Sequence, residues 1–456
     1  VGARGKHLPA PCGGVPGVGA ASPPPHPRPG DVFALNDPYS GGTHLPDITL
    51  VSTVAPEGEI LGYAVTRAHH SDVGGMSPGS MPAVSREIHQ EGLVIPPVRL
   101  VRNGEYVQEI LDLILANVRT PAIRRGDLQA QVAANQLAER RISELIDRRG
   151  RQTVLDAFED VISYTEQRTR EVIRDLPNGE YRAEDVLEGD GITEEDIPIR
   201  VTVRIEEESM IVDFSGTAGA TAGNVNCPLA VTRSACYFAL RVLLSGDVPA
   251  NAGTYAPLSI ETPESSLVNA SYPSAVVAGN VETSSRIADT VMLALSQIAS
   301  LPAQGQGTMN VVTMGNSAWT YVETIGGGQG ASERGNGPSG VHVGMSNTLN
   351  TPIEAFELEY PMRVESYELL YGSGGIGEHL GGDGIVRSIR VLEPASLSLL
   401  TDRRRHAPRG GGSGESGKPG KNLLNGEDLP AKTFKALEPG DLITIHTPGG
   451  GGWGLA

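Results

Sequence analysis

Four of the ten histidines, His44, His69, His70 and His89, fall between Asn36 and Glu91, interleaved with Asp37, Asp47, Asp72, Glu87 and Glu91. Neutral imidazole and carboxylate are the ligand set of Zn, Mn or non-haem Fe, and neighbouring glycines let a backbone or a substrate approach closely. A divalent metal centre is therefore the first expectation. His69 and Asp72 are spaced His-x-x-Asp and followed by Gly74-Gly75, so a turn can aim both at one ion. His70 then points elsewhere, as a donor behind the ligands or as a general base. The plainer alternative is a polar loop region whose histidines cap turns and pair with surface acids.

Such residues need rigid carriers. Residues 31–35 and 48–54 have the composition of short strands, Glu57-Gly58 makes a turn, and 60–67 is the returning strand of a hairpin. His69, His70 and Asp72 then lie just beyond a strand end, and Asp37 follows the end of the first strand in the same way. A sheet can hold a loop-borne site in this manner.

From about 109 to 177 the period becomes helical. Leu128, Val132, Leu137, Ile142 and Leu145/Ile146 form a stripe over Arg124–Arg148, Gly150 ends it, and 154–174 gives a second helix with Leu155, Phe158, Val161 and Ile162 on its apolar face. The two make an antiparallel hairpin whose arginines are a solvated face; Arg119 and Arg124-Arg125 are the weaker candidates for holding an anionic substrate. Residues 179–187, 197–205 and 209–216 alternate with period two and predict an antiparallel meander. A buried helix follows over 230–244, with Cys236 as core filler and Cys227 at its entrance, where a small buried residue is the simpler reading than a reactive thiol. Residues 279–289 read as a polar loop entering a helix that runs to about 300, with Thr283 or Ser284 as N-cap. Gly-rich segments at 304–310 and 323–331 then suggest loops walling a cleft.

The expected fold class is α+β, with antiparallel sheets in several layers and a helical hairpin inserted. The expected divisions are an irregular head over 1–30 (Cys12 and His26 in it inert), a metal-site β region over 31–108, the helical hairpin over 109–177, an α/β central domain over 178–355 and a β-rich region over 356–456. A net charge of −18 argues against a nucleic-acid or anionic-membrane surface. No apolar run approaches the length of a membrane span, and three cysteines make no disulfide framework. The cytoplasm is the expected compartment.

Two nucleotide-like motifs fail on context. Gly372–Gly377 matches GxGxxG, but Glu378-His-Leu-Gly-Gly-Asp cannot be the helix that must follow. Residues 412–418 resemble a P-loop, yet Pro419 stands where a hydroxyl residue should meet Mg²⁺. No ATP site is expected in this chain.

Asn36-Asp-Pro-Tyr-Ser-Gly-Gly-Thr-His-Leu-Pro-Asp, His69-His-Ser-Asp-Val-Gly-Gly, Gln90-Glu-Gly-Leu-Val-Ile-Pro-Pro, Gly279-Asn-Val-Glu-Thr-Ser, Gly305-Gln-Gly-Thr-Met-Asn, Gly326-Gly-Gly-Gln-Gly-Ala and Thr401-Asp-Arg-Arg-Arg-His resemble, in this order, the hydantoinase B/oxoprolinase family. The resemblance runs from about Gly30 to the C-terminal Gly-rich end; the Gly/Pro-rich head departs from it.

The resemblance implies a B-type subunit of an ATP-dependent hydantoinase or 5-oxoprolinase. An actin-like, hydantoinase A-type ATPase subunit would use ATP and Mg²⁺ to phosphorylate a cyclic amide, and the B-type subunit would hydrolyse it at a divalent metal (Zn, Mn or Fe). The metal ligands it implies are Asp37, His69, Asp72 and His89, with Glu91 as rival to His89; His70 or Glu91 would handle the proton. The alternatives are the α subunit of an acetone-type ATP-dependent carboxylase, or a non-catalytic, metal-stabilised partner of the ATPase in a hetero-oligomer.

Overall fold

The computed structural model describes residues 27–456; Cys12, His26 and the head as far as residue 26 lie outside the described residues. The described chain is α+β, with four sheets and seven α-helices.

The first sheet takes strands β1 (Val32–Leu35), β2 (Asp47–Val54), β3 (Gly62–His69), β4 (Val98–Arg102) and β5 (Glu105–Tyr106) in the order β3-β2-β1-β4-β5. Three helices follow: α1 (Gln108–Ala116), α2 (Pro121–Arg149) and α3 (Arg151–Arg174). Helix α2 lies across β2 and β3 on the stripe Leu128, Gln131, Val132 and Asn135, which repeats at helical period and is buried. Two members are amides, and they bond to the sheet itself: Gln131 Nε2 donates to Ile48 O at 3.0 Å and Asn135 Nδ2 to Ser52 Oγ at 2.9 Å. The predicted stripe includes Leu137, which is exposed because it faces away from the sheet. Gly150, at φ 83°, joins α2 to α3 as predicted, and the arms of this hairpin pack on different elements. Helix α3 turns its Val154, Thr165, Thr169 and Ile173 face inwards, leaving Val161 exposed, and packs on later parts of the chain.

The second sheet contains β6 (Gly179–Glu188), β7 (Asp196–Glu206), β8 (Ser209–Asp213) and, after α4 (Leu229–Leu243) and α5 (Ala252–Tyr255), β9 (Leu258–Glu261). The meander over β6–β8 is antiparallel as predicted, but β9 joins β8 in parallel, which the two intervening helices make possible. Residues 279–283 are a π-helical turn rather than the predicted loop, running straight into α6 (Ser284–Leu295). Thr283 does not cap that helix; its hydroxyl donates to Val225 O. Helices α4 and α6 pack together over the sheet to form the largest apolar core, which holds Cys227 and Cys236. Burial pushes the Cys227 thiol up to about 12 and Cys236 up as well, so both are core filler.

The remaining elements are β10 (Val311–Gly315), β11 (Thr320–Thr324), α7 (Ile353–Glu359), β12 (Met362–Leu370), β13 (Gly384–Val391), β14 (Ala395–Leu400), β15 (Lys421–Leu424), β16 (Glu427–Leu429), β17 (Lys432–Leu437) and β18 (Leu442–His446). They form two antiparallel sheets, β11-β10-β14-β17 and β12-β13-β18-β15-β16, sharing one core. The two nucleotide-like motifs lie in the β12–β13 and β14–β15 connections, with no helix following either. Glycine segments meet backbone to backbone there: Gly450 N donates to Gly382 O and Gly382 N to Gln329 O, both at 2.9 Å. A Cβ on Gly382 would collide with Pro338 O, so a close approach of chains explains the glycine there. Among the described residues no helix is long and apolar enough to cross a membrane.

Candidate functional site

The β2–β3 hairpin sets the site. Its pairs lie symmetrically about position 58, from Val54 with Gly62 out to Asp47 with His69 at the open end. Cross-strand partners share a face and successive residues alternate faces, so His69 stands beside Asp47 while His70 goes to the other side of the sheet. His44, in the turn three residues before Asp47, completes the group: one ligand atom each from His44, Asp47 and His69 lies within 4.8 Å of the others.

Asp47 is central to it. Its Oδ2 is 3.0 Å from His44 Nδ1 and accepts a 2.7 Å hydrogen bond from Thr43 Oγ1, and its Oδ1 is 3.3 Å from His69 Nδ1. Burial would push the carboxyl up, but the His44 and His69 imidazoles hold it well below the usual carboxylate range. The His44 and His69 rings stack at 5.2 Å. His44 is 1% exposed, Asp47 17% and His69 42%, so the cluster opens to solvent on the His69 side. Neither ring nitrogen of His44 makes a well-aligned hydrogen bond, although both are buried. Orphaned buried nitrogens are rare and costly, and a cation between His44, Asp47 and His69 would satisfy one of them. The donor set fits a divalent metal.

The four ligands implied by the resemblance are not gathered at one point; among the described residues only His69 belongs to a three-ligand group. Asp72 is fully buried and already committed: Oδ1 accepts from Gly74 N and Arg119 N, Oδ2 from Gly79 N and, at 2.8 Å, from Arg119 Nη1. Arg119 is thus a structural partner rather than an anion receptor. Asp37 caps the 38–40 turn, accepting from Tyr39 N at 2.9 Å and Ser40 Oγ at 2.7 Å. His89 is exposed, with Nε2 2.9 Å from the Tyr272 hydroxyl.

His70 and Glu91 are both buried. His70 Nε2 is 3.0 Å from Gln131 Oε1 on α2, its Nδ1 has no partner, and burial lowers its pKa despite the Gln131 hydrogen bond. Glu91 accepts from Ser85 Oγ at 2.9 Å, Val276 N at 3.0 Å and Val277 N at 3.1 Å, tying the first sheet to the 272–277 segment. Burial pushes it up to about 8, against the pull of those donors. An unfolded Glu91 loses its proton above about 4.5, whereas the folded one keeps it to about 8. Between those values the unfolded state binds fewer protons, so this group lowers stability as pH rises. The melting temperature of Glu91→Gln relative to wild type is therefore expected to improve from pH 5.5 to pH 8.5; a constant difference would show that Glu91 titrates normally.

A second cluster carries no signal of its own at the level of residue spacing. Asp185 on β6, Arg286 and Asp289 on α6, Gln304, Asp402 and Arg403 after β14, and Lys432 on β17 form a buried polar network. Arg286 bridges Asp185 at 3.3 Å and Asp402 at 3.1 Å; Arg403 Nη2 meets Asp185 at 3.0 Å and Asp289 at 2.9 Å; Lys432 meets Asp402 at 2.9 Å. Glu188 accepts from the backbone N–H groups of Arg404, Arg405 and His406. The motifs at 279–289, 304–310 and 401–406 are thus drawn together as the ionic joint between sheets.

The hydantoinase B/oxoprolinase family model matches residues 4–456. The chain belongs to this family. It is 38% identical to 5-oxoprolinase 1 of Arabidopsis thaliana over 93% of its own length, and spans only 35% of that protein. It is 33% identical to the B subunit of a putative D-/L-hydantoinase from a Pseudomonas strain, over 93% of this chain and 76% of that one. Among solved structures, the ATP-dependent caprolactamase of Pseudomonas jessenii superposes with a TM-score of 0.87 at 28% identity, covering 94% of this chain and 78% of that one. Acetone carboxylase superposes with a TM-score of 0.82 at 17% identity, over 94% and 65% of the two chains, a likeness of fold alone. The family fold is the α+β architecture described above.

Proposed function

We propose that this chain is the B-type subunit of an ATP-dependent cyclic-amide hydrolase, acting on a lactam or hydantoin that a hydantoinase A-type partner phosphorylates. Support comes from the kinship with the Pseudomonas hydantoinase chain and the caprolactamase fold. The observation that carries the reading is the His44–Asp47–His69 cluster at the open end of a rigid hairpin.

Amide resonance makes a lactam a poor electrophile. Phosphorylation of its oxygen gives an imidate-like carbon; one water adds there, the C–N bond of the tetrahedral adduct opens with a proton passing to nitrogen, and a second water cleaves the resulting acyl phosphate to carboxylate and inorganic phosphate. A divalent Zn, Mn or Fe ion, when bound, would supply Lewis acidity and lower the pKa of water. His44, Asp47 and His69 would hold it, a three-residue set of the kind that leaves a position for substrate. Thr43 fixes the Asp47 carboxylate by its 2.7 Å hydrogen bond. His69, the exposed ring, is the member that can meet an incoming substrate. His70 and Glu91 act as positioning residues, the first tying the hairpin to α2 and the second fixing residues 276–277.

The test is reconstitution with an A-type partner, ATP and Mg²⁺ on a panel of lactams and hydantoins. Ring opening that needs both subunits and ATP is expected. Ring opening without ATP, or none with any panel member in a complex that consumes ATP, contradicts the proposal.

A further inference from the structure

A cleft of about 390 Å³ opens between α4, α6 and the glycine segments around 305, 344 and 411, and its lining includes none of His44, Asp47 and His69. One part is apolar, with Phe238, Met292 and Leu293; the lining also carries Asp289, His342 and Arg409.

Each of the three polar groups has unused capacity. Asp289 gives one oxygen, Oδ2, to Arg403 at 2.9 Å, while Oδ1 receives no hydrogen bond among the described residues. Its side chain keeps 17% exposure. Burial pushes its carboxyl up to about 7 against the pull of Arg286, and a cation alongside would favour the ionised form. His342 Nδ1 lies 3.1 Å from Ser346 Oγ, which is also 3.3 Å from Val343 O. His342 Nε2 is buried and has no hydrogen-bond partner. Arg409 bonds to Gln304 through its backbone N–H, and its half-exposed guanidinium is 3.5 Å from Asp185, too long for a strong hydrogen bond.

A carboxylate oxygen beside a guanidinium and an apolar wall is complementary to a molecule with an ammonium, a carboxylate and an apolar side chain. We propose that this cleft binds an α-amino acid with an apolar side chain, its ammonium on Asp289, its carboxylate on Arg409, and its side chain against Phe238, Met292 and Leu293. The cyclic-amide reading neither requires nor supplies this site.

Isothermal titration of the chain with L-leucine, 4-methylpentanoate and 3-methylbutylamine tests it, since the latter two lack one charge each. Removing either charged group from the probe is expected to weaken binding roughly tenfold or more, the worth of a hydrogen bond between charged partners. Arg409→Met, altered at a half-exposed side chain, is expected to weaken leucine by a similar factor and bring it level with the amine. Asp289→Asn is expected to bring leucine level with the carboxylate. Absence of leucine binding at millimolar concentration, equal affinity for all three probes, or unchanged leucine binding in both folded variants would overturn the proposal.

Discussion

Asp402→Ala is expected to destabilise the fold by about 3–5 kcal/mol, the usual cost of removing one partner from a buried ion pair. Asp402 is fully buried and answers two cations that are themselves sealed off, Arg286 at 3.1 Å and Lys432 at 2.9 Å. It also accepts from the backbone N–H of Arg403 at 3.0 Å. Alanine would leave Lys432 without its carboxylate and Arg286 with Asp185, at 3.3 Å, as its nearest one in a low-dielectric interior, and the loss is a large part of the ~5–15 kcal/mol by which proteins are stable. Chemical denaturation should show a far lower midpoint, or a chain that no longer folds. Lys432→Met in the same background should restore part of the loss, because it removes one of the stranded charges. A midpoint within experimental error of wild type would mean that the network is hydrated and weak.

Asp47→Ala is expected to lower ATP-dependent ring opening in the reconstituted complex by at least roughly hundredfold, the upper range for losing even a residue that only supports a metal ligand. Asp47 is the one residue that touches both imidazoles of the cluster. Because two imidazoles hold its carboxylate well below the usual range and Thr43 bonds to it, Asp47→Ala should also lower the melting temperature, so activity is compared at a temperature where both proteins are folded. The comparison variant is Asp37→Ala, which removes the cap of the 38–40 turn without touching the cluster. Its activity should stay within a few-fold of wild type. Equal losses in both would argue for a site that includes Asp37.

The hairpin was legible because both strands are β-rich and the Glu57-Gly58 turn lies between them; β2 and β3 form close to where alternation places them. That turn also encodes the register, since pairs symmetric about 58 put Asp47 opposite His69. His44-x-x-Asp47 has the same spacing as His69-x-x-Asp72, so spacing alone could not choose between the two aspartates. Strand pairing does: β3 ends at His69, and Asp72 turns inward onto Arg119, a residue 47 positions away in the chain. Long-range pairing likewise decided the fate of 279–283, where burial and the Thr283 bond to Val225 O favour a helical turn over a loop. The ionic joint was invisible for the same reason, since Asp185 and Arg403 come together only through three separate elements.

Metal content of purified variants, measured by elemental analysis on wild type, His44→Ala, Asp47→Ala and His89→Ala, tests the candidate centre most directly. About one Zn, Mn or Fe per folded chain is expected in wild type and in His89→Ala, and its loss in His44→Ala and Asp47→Ala. Metal retained in both cluster variants, or lost on replacing the exposed His89, would contradict a centre built on His44, Asp47 and His69.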